Sequence, residues 1–170
     1  MALTRLRQGI LALVAWAREV DDAPARSLLS PSLLALFQRM SRREQQHALE
    51  VYNTLKRLGA SNPALLTAGL LHDVGKMRAP LYLWDRVLIV LVEAAMPATA
   101  KKIGEGDVRS WRRPFVIRKQ HAQWSAEMVA AAGADPLTVE LIRRHQDKVA
   151  QPISDADRLL LTLQHADDAN

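Results

Sequence analysis

Gly69-Leu70-Leu71-His72-Asp73-Val74-Gly75-Lys76 is the stretch that decides how this chain is read. It continues an apolar run that opens at Pro63, and it ends on an adjacent His-Asp pair, a glycine and a lysine. Pro63 suits a first helical turn, Ser61 and Asn62 offer a cap, and Gly75 reads as a stop. The pattern therefore predicts a helix over 63–73, apolar almost all round and hence buried, with His72 and Asp73 in its last turn. An imidazole and a carboxylate are costly in such a place unless something pairs with them. A divalent transition metal would do so, since both groups are good ligands. A His-Asp pair taken alone more often faces water at a helix end, so the rest of the chain has to carry the decision.

Working outward, 170 residues are enough for one domain with a proper core. An apolar fraction of 49% with 24% charged residues lies in the range of soluble globular domains, and only seven glycines among many Ala, Leu and Arg favour helix. The absence of cysteine excludes disulfides, thiolate metal sites and cysteine nucleophiles. A net charge of +5 and a pI of about 10.0 favour anionic partners, which leaves phosphorylated metabolites, nucleic acid and membrane surfaces open. Near the start, Arg5 and Arg7 precede a short apolar run, and Ala15-Trp16-Ala17 resembles a cleavage site. Leu6, Ile10, Leu13 and Ala17, however, continue a helical stripe into charged sequence, so an ordinary amphipathic helix is expected. The apolar run from Val87 to Met96 is broken by Glu93 and too short to span a bilayer. A core helix, no transmembrane segment and a cytoplasmic location are the expectations.

Taken in order, a first helix is expected over 4–19, broken by Asp21-Asp22-Ala23-Pro24. Ser30-Pro31 restarts a short helix through Leu33, Leu34 and Phe37. Ser41 caps a longer one to about Leu58, with Glu44 completing a capping box and Gly59 ending it. After the central helix, Tyr82 to Met96 form the next, closed by Pro97. Residues 98–119 read as the least regular segment, with Lys101, Lys102, Arg109, Arg112, Arg113, Arg118 and Lys119 set against only Glu105 and Asp107. Trp111 and Phe115 are interleaved among them. Helical pattern returns over 121–132, stops at Gly133, resumes after Pro136 as far as His145, and closes over 153–168. The expectation is all-α, one domain of seven or eight helices, with residues 1–40 as a helical extension packed on a core formed by 41–170.

The position of each ionisable residue on its helix is the informative test. His47 shares a face with Val51, Thr54, Leu55 and Leu58; His72 and Asp73 continue that of Leu65, Leu66, Gly69 and Leu70. His121 lies with Trp124 and Met128, His145 follows Leu137 and Leu141, and Asp167 follows Leu160 and Leu163. Each extends an apolar stripe that should face the core. Singly, any of these histidines reads as a core residue bonded to a carbonyl. Together, six inward His and Asp groups from five helices would each require a partner, whereas around metal they satisfy one another. His165, two positions before Asp167, points about 200° away and is left out.

The order His47 … His72-Asp73 … His121 … His145 … Asp167 resembles the HD-domain metal-dependent phosphohydrolase superfamily. His72-Asp73-Val74-Gly75-Lys76 is similar to its His-Asp-x-Gly-Lys subgroup motif, and the likeness covers residues 42–168. It implies an HD-type helical bundle in which His47, His72, Asp73 and Asp167 hold one metal ion. Asp73 would bridge to a second ion completed by His121 and His145. Iron or manganese are the implied occupants, with magnesium, zinc, cobalt and nickel also compatible. The implied chemistry is attack of a metal-activated hydroxide on phosphorus, by a phosphomonoesterase or phosphodiesterase acting on a nucleotide or other small phosphorylated substrate. Asp73 and Lys76 would be catalytic, with Lys76 also touching substrate; the other reading of Lys76 is a helix C-terminal lysine facing the dipole. Two departures narrow the likeness. Gln146 stands where several two-metal phosphodiesterases carry a second histidine, and the Gly-Tyr-Pro element of the cyclic-di-GMP branch is absent, which argues against that branch.

The basic segment has two readings. Arg112, Arg113 and Arg118 could grip phosphate beside the site, since arginine presents paired donors. Alternatively it is a solvated loop anchored by Trp111 and Phe115. The competing functional classes are a non-catalytic signalling or interaction module on the same fold, and a binder of RNA or another anionic polymer. No accompanying nucleic-acid motif is present, which ranks the last one lower.

Overall fold

The structure is a computed structural model, and it describes residues 20–79, 85, 92, 109–110 and 112–170. The helix expected over 4–19 and, apart from Asp85 and Val92, the one expected over 82–96 lie outside the described residues, as do Lys101, Lys102 and Trp111. Seven α-helices and one 3-10 helix make up the described chain: α1 (Ala23–Leu28), α2 (Pro31–Arg39), α3 (Arg42–Arg57), α4 (Pro63–Leu71), the 3-10 helix Val74–Arg78, α5 (Arg113–Ala131), α6 (Pro136–Arg144) and α7 (Asp155–Asp168). The fold is all-α, with no strand among the described residues, and no helix among them is long and apolar enough to cross a membrane.

Local chemistry sets most of the boundaries. Ser30 Oγ accepts from the Leu33 amide and Ser41 Oγ from that of Glu44, which start α2 and α3. Asn62 Oδ1 takes the amides of Ala64 and Leu65 at 2.9 and 3.2 Å, and Asp135 does the same for α6. A capping box closed from both sides, Ser154 with Asp157, opens α7. Gly59 and Gly133 end α3 and α5 with φ of 81° and 84°, a conformation that glycine adopts without a Cβ penalty.

α4 is the centre of the packing. Every residue from Ala64 to Leu71 is buried, and the helix touches α1, α2, α3, α6 and α7. An apolar surface on all sides leaves no solvent face, so only the middle of a bundle suits it. Truncating Leu70 or Leu71, both fully buried, would cost about 2–5 kcal/mol each. Gly69 permits the closest approach: a Cβ there would lie 2.7 Å from Leu55 Cδ1 of α3. From the N-terminal side, Ala25 of α1 and Leu33 and Phe37 of α2 enter the same core.

Several expectations need correcting. The Asp21–Pro24 stretch does not simply break the chain: Asp22 precedes α1, with Pro24 in its first turn, where the missing N–H costs nothing. α4 ends at Leu71, so His72 is its C-cap and Asp73 leads into the 3-10 helix. Gly75 is accordingly no stop signal; it lies inside that 3-10 helix, without positive φ, for a reason of space given below. α5 begins at Arg113, eight residues before the expected 121. Its first two turns carry Arg118 and Lys119 on one side while Phe115, Val116 and Ile117 are buried on the other, and the charge density hid the stripe. On the same helix Trp124 is only partly buried, with Arg78 over its ring at 5.8 Å, and the core face runs through Ala122, Ser125 and Val129. Leu58, expected on the inward face of α3, is half exposed.

Candidate metal centre

Five pieces of chain converge at one end of α4. α3 brings His47, the α4 terminus His72 and Asp73, α5 His121, the end of α6 His145, and α7 Asp167. His72, Asp73, His121 and His145 are buried, while His47 and Asp167 are about a quarter to a third exposed. His165 is exposed on the other side of α7. The ligating atoms form two groups, each within 4.8 Å: His47, His72 and Asp167, and then Asp73, His121 and His145.

Backbone carbonyls fix how three of the imidazoles are presented. His72 Nδ1 faces Gly69 O at 3.1 Å, His121 Nδ1 faces Ile117 O and Arg118 O at 3.1 and 3.0 Å, and His145 Nδ1 faces Ile142 O at 2.7 Å. A carbonyl only accepts, so each Nδ1 carries a hydrogen and each ring directs its Nε2 inward, the atom that offers a lone pair in the Nδ1–H tautomer. His121 Nε2 and His145 Nε2 then face each other at 3.3 Å. His72 Nε2 is buried without a hydrogen bond, although Asp167 Oδ1 lies 3.4 Å and Asp73 Oδ2 3.6 Å away. Lone pairs and carboxylate oxygens converging at such distances call for a shared electrophile.

Asp73 sits between the groups. Its Oδ1 is 3.3 Å from His121 Nε2, while its Oδ2 faces His72, lies 3.9 Å from His47 Nε2 and receives the Lys76 ammonium. His47 Nε2 is 2.9 Å from Asp167 Oδ1. Burial by itself would raise both carboxyls, yet the facing imidazoles, with Lys76 in the case of Asp73, hold both well below the usual carboxylate range. Burial likewise works against a charged His72, but Asp73 and Asp167 outweigh it and its proton affinity ends above the ordinary value. Burial, with His72 and His121 nearby, pushes His145 down to about 3, so that ring is neutral. Asp73, buried, and Asp167, about a third exposed, are therefore held ionised close to one another, and that arrangement calls for positive charge. A metal ion meets that requirement, and the set of imidazoles and carboxylates without thiolate suits a borderline or harder divalent ion.

A protein-family model, the HD domain, matches residues 45–168. The chain belongs to the HD-domain family. No curated protein and no solved structure matches the chain. Membership places this HD domain in the metal-dependent phosphohydrolase superfamily, with His/Asp clusters suited to divalent metal.

The glycine of the His-Asp-Val-Gly-Lys stretch has a spatial function in this HD domain. A Cβ at Gly75 would lie 2.5 Å from His121 O and 2.6 Å from Ser125 N, while the Gly75 amide donates to the buried Ser125 Oγ at 2.8 Å. The 3-10 helix can thus lie directly on α5 and bring Asp73 up to His121. Among the described residues, two cavities reach the cluster. One, of about 370 Å³, runs along α3 and is lined by Arg43, Glu50, His47, Asp73 and Lys76 among others. The other, of about 610 Å³, lies under the α6–α7 loop beside His145 and Asp167.

Arg112 and Arg118 are exposed, and Arg113 lies 4.0 Å from Asp85; none of the three lines either cavity. The cations that do are Lys76, Arg43 and Lys148. Sequence reading missed Arg43, which stands four residues before His47 and so shares its face of α3. It also missed Gln164, whose Nε2 donates to His145 O at 3.0 Å and Asp147 O at 2.8 Å, pinning the turn that carries His145. Gln146 is near the site in its own right, its amide nitrogen 3.2 Å from His121 Nε2.

Proposed function

We propose that this HD domain is a phosphohydrolase that uses two divalent ions, iron or manganese, on a nucleotide or another small phosphorylated substrate. One ion would be held by His47, His72, Asp73 and Asp167, and the other by Asp73, His121 and His145. The observation that carries this reading is the convergence of His72, His121 and His145 through Nε2, each fixed by a carbonyl at Nδ1, around ionised carboxylates. When bound, the ions would supply an activated water and neutralise phosphoryl charge. The chain's residues do the rest. The carbonyls of Gly69, Ile117 and Ile142 hold the rings in one tautomer and orientation. Lys76, beside Asp73 and open to the α3 cavity, offers its ammonium to a non-bridging or leaving oxygen. Arg43, on the same cavity, adds paired donors for a phosphate. Arg112, Arg113 and Arg118 contribute longer-range attraction for an anion. Residues 20–40, the described part of the N-terminal extension, pack on the catalytic unit through Ala25, Leu33 and Phe37.

A non-catalytic module has no chemical need for this ring of ionised and neutral ligands, and a polymer binder would not require them to be buried. Metal analysis of anaerobically purified protein, wild type against Asp73→Ala, tests the proposal. Two ions of iron or manganese per chain, lost in the variant, together with turnover of nucleotides, is the expected result. A protein that keeps no metal even after reconstitution would overturn the catalytic reading.

A further inference from the structure

Among the described residues, four donors rather than three meet at the second group. Asp73 Oδ1 and His145 Nε2 each lie 3.3 Å from His121 Nε2, and the Gln146 side-chain amide lies 3.2 Å from the same atom. Donors bonded to one ion at about 2.0–2.2 Å stand about 3.0–3.5 Å from one another. The amide therefore stands where a ligand would, as the carboxylate and the imidazole do. We propose that Gln146, through Oε1, is a fourth protein ligand of the second ion and tilts that position towards manganese. This rests on the two-ion reading of the centre and adds to it a residue and a preference among ions.

The backbone presents the amide. Gln146 follows His145, whose dihedrals stay helical past the end of α6, and the Asp147 amide closes the turn onto Arg144 O at 2.8 Å. Gln164 Nε2 donates to the carbonyls on both sides of Gln146, His145 O at 3.0 Å and Asp147 O at 2.8 Å. From an exposed position the side chain thus reaches inward to His121. His121 Nδ1 is committed to the carbonyls of Ile117 and Arg118, which leaves Nε2 to face the amide. A half-turn about the last glutamine torsion, which is broad and two-fold, exchanges the amide nitrogen for Oε1 at that place. The α6–α7 cavity, lined by both His145 and Gln146, gives an ion its way in.

The donor set decides the preference. Asp73 is its only charged member, and the other oxygen of that carboxylate faces His72 and His47 of the first group. The rest are two imidazoles and one neutral oxygen. Oxygen donors suit manganese, whereas a third imidazole would suit zinc. Zinc outranks manganese at any such site, so the effect of Gln146 is to narrow that advantage.

Metal-stripped full-length protein should be titrated with manganese, the free ion read by electron paramagnetic resonance, and then with zinc in competition. Wild type is compared with Gln146→Leu, Gln146→Glu and Gln146→His, whose circular-dichroism melts should match because the position is exposed. Wild type should bind two manganese ions, and Gln146→Leu should weaken the second at least about tenfold while leaving the first unchanged. Gln146→Glu keeps an oxygen but cannot donate to His121, and it should bind the second ion at least as tightly as wild type. Gln146→His should raise the zinc-to-manganese affinity ratio of that position at least about tenfold. Two ions bound alike by wild type and Gln146→Leu, or Gln146→Glu as weak as Gln146→Leu, overturns the ligand assignment and leaves the hydrolase reading standing. An unchanged ratio in Gln146→His overturns the preference, and a wild type that binds a single ion overturns the whole proposal. A wild type that takes up neither metal overturns the hydrolase reading as well. A second ion that depends on Gln146, in a protein that turns over no phosphoester, supports the ligand and sinks the hydrolase reading.

Discussion

Gly75→Ala tests how the His-Asp-Val-Gly-Lys stretch is held against α5. The added methyl would lie 2.5 Å from His121 O, 2.6 Å from Ser125 N and 2.8 Å from Ser125 Oγ. Two of these are backbone atoms of a helix interior and cannot rotate away, so the 3-10 helix itself must move by roughly 1 Å. Overpacking of this kind costs about 1–3 kcal/mol, and loss of the Gly75 amide bond to Ser125 Oγ adds about 1 kcal/mol. The sum of about 2–4 kcal/mol corresponds to a melting point lower by about 4–16 °C in a chain of this size. The same movement pulls Asp73 away from His121, now 3.3 Å apart, when metal ligands tolerate only about 0.2 Å. Calorimetric melting and metal stoichiometry should therefore fall together. Gly59→Ala is the control: at φ 81° it costs about 1–2 kcal/mol of backbone strain, but with nothing within 4 Å it should leave metal content unchanged. A Gly75→Ala protein that melts within a degree or so of wild type and retains its metal would refute the reasoning.

Gln164→Leu removes both hydrogen bonds to the His145–Asp147 turn, so urea unfolding should show a loss of about 1–3 kcal/mol. In the proposed two-ion arrangement, metal content should drop from about two ions towards one, because His145 would serve only the second; unchanged stoichiometry would show that the turn holds itself. Asp157 is held well below the usual carboxylate range, first by Arg144 at 2.6 Å and then by the Ser154 and Ile153 amides. A folded pKa below the unfolded one means that this stabilisation is complete above the ordinary aspartate value and is lost as the pH falls from there. The gap in urea midpoint between wild type and Asp157→Asn should accordingly be widest near neutral pH and close as the pH drops below about 4; a gap independent of pH would contradict it.

The helical architecture was legible because it rests on local chemistry. Ser30, Ser41, Asn62 and Asp135 cap where their side chains reach the next turn's amides, and Gly59 ends α3 through its own φ. The unrelieved apolarity of Ala64–Leu71 was enough to place α4 in the middle. The start of α5 was not legible, since Arg118 and Lys119 sit among the apolar residues in sequence and separate from them only once a core takes one face. Gly75 was misread for a related reason: its necessity lies in Ser125 and the His121 carbonyl, some fifty residues away, and no local pattern reports a distant backbone.

For the site, the sequence determined which side chains have the right chemistry and which helix face each one occupies, because spacing and helical period are properties of the chain alone. Tertiary structure decided the remainder. It set which carbonyl orients each imidazole, how the two oxygens of Asp73 are divided between His121 and the His47–His72 side, and that Arg43 and Gln164 stand beside the cluster. These depend on distances between helices far apart in sequence, which only the packing of α3, α5, α6 and α7 around α4 and the 3-10 helix determines.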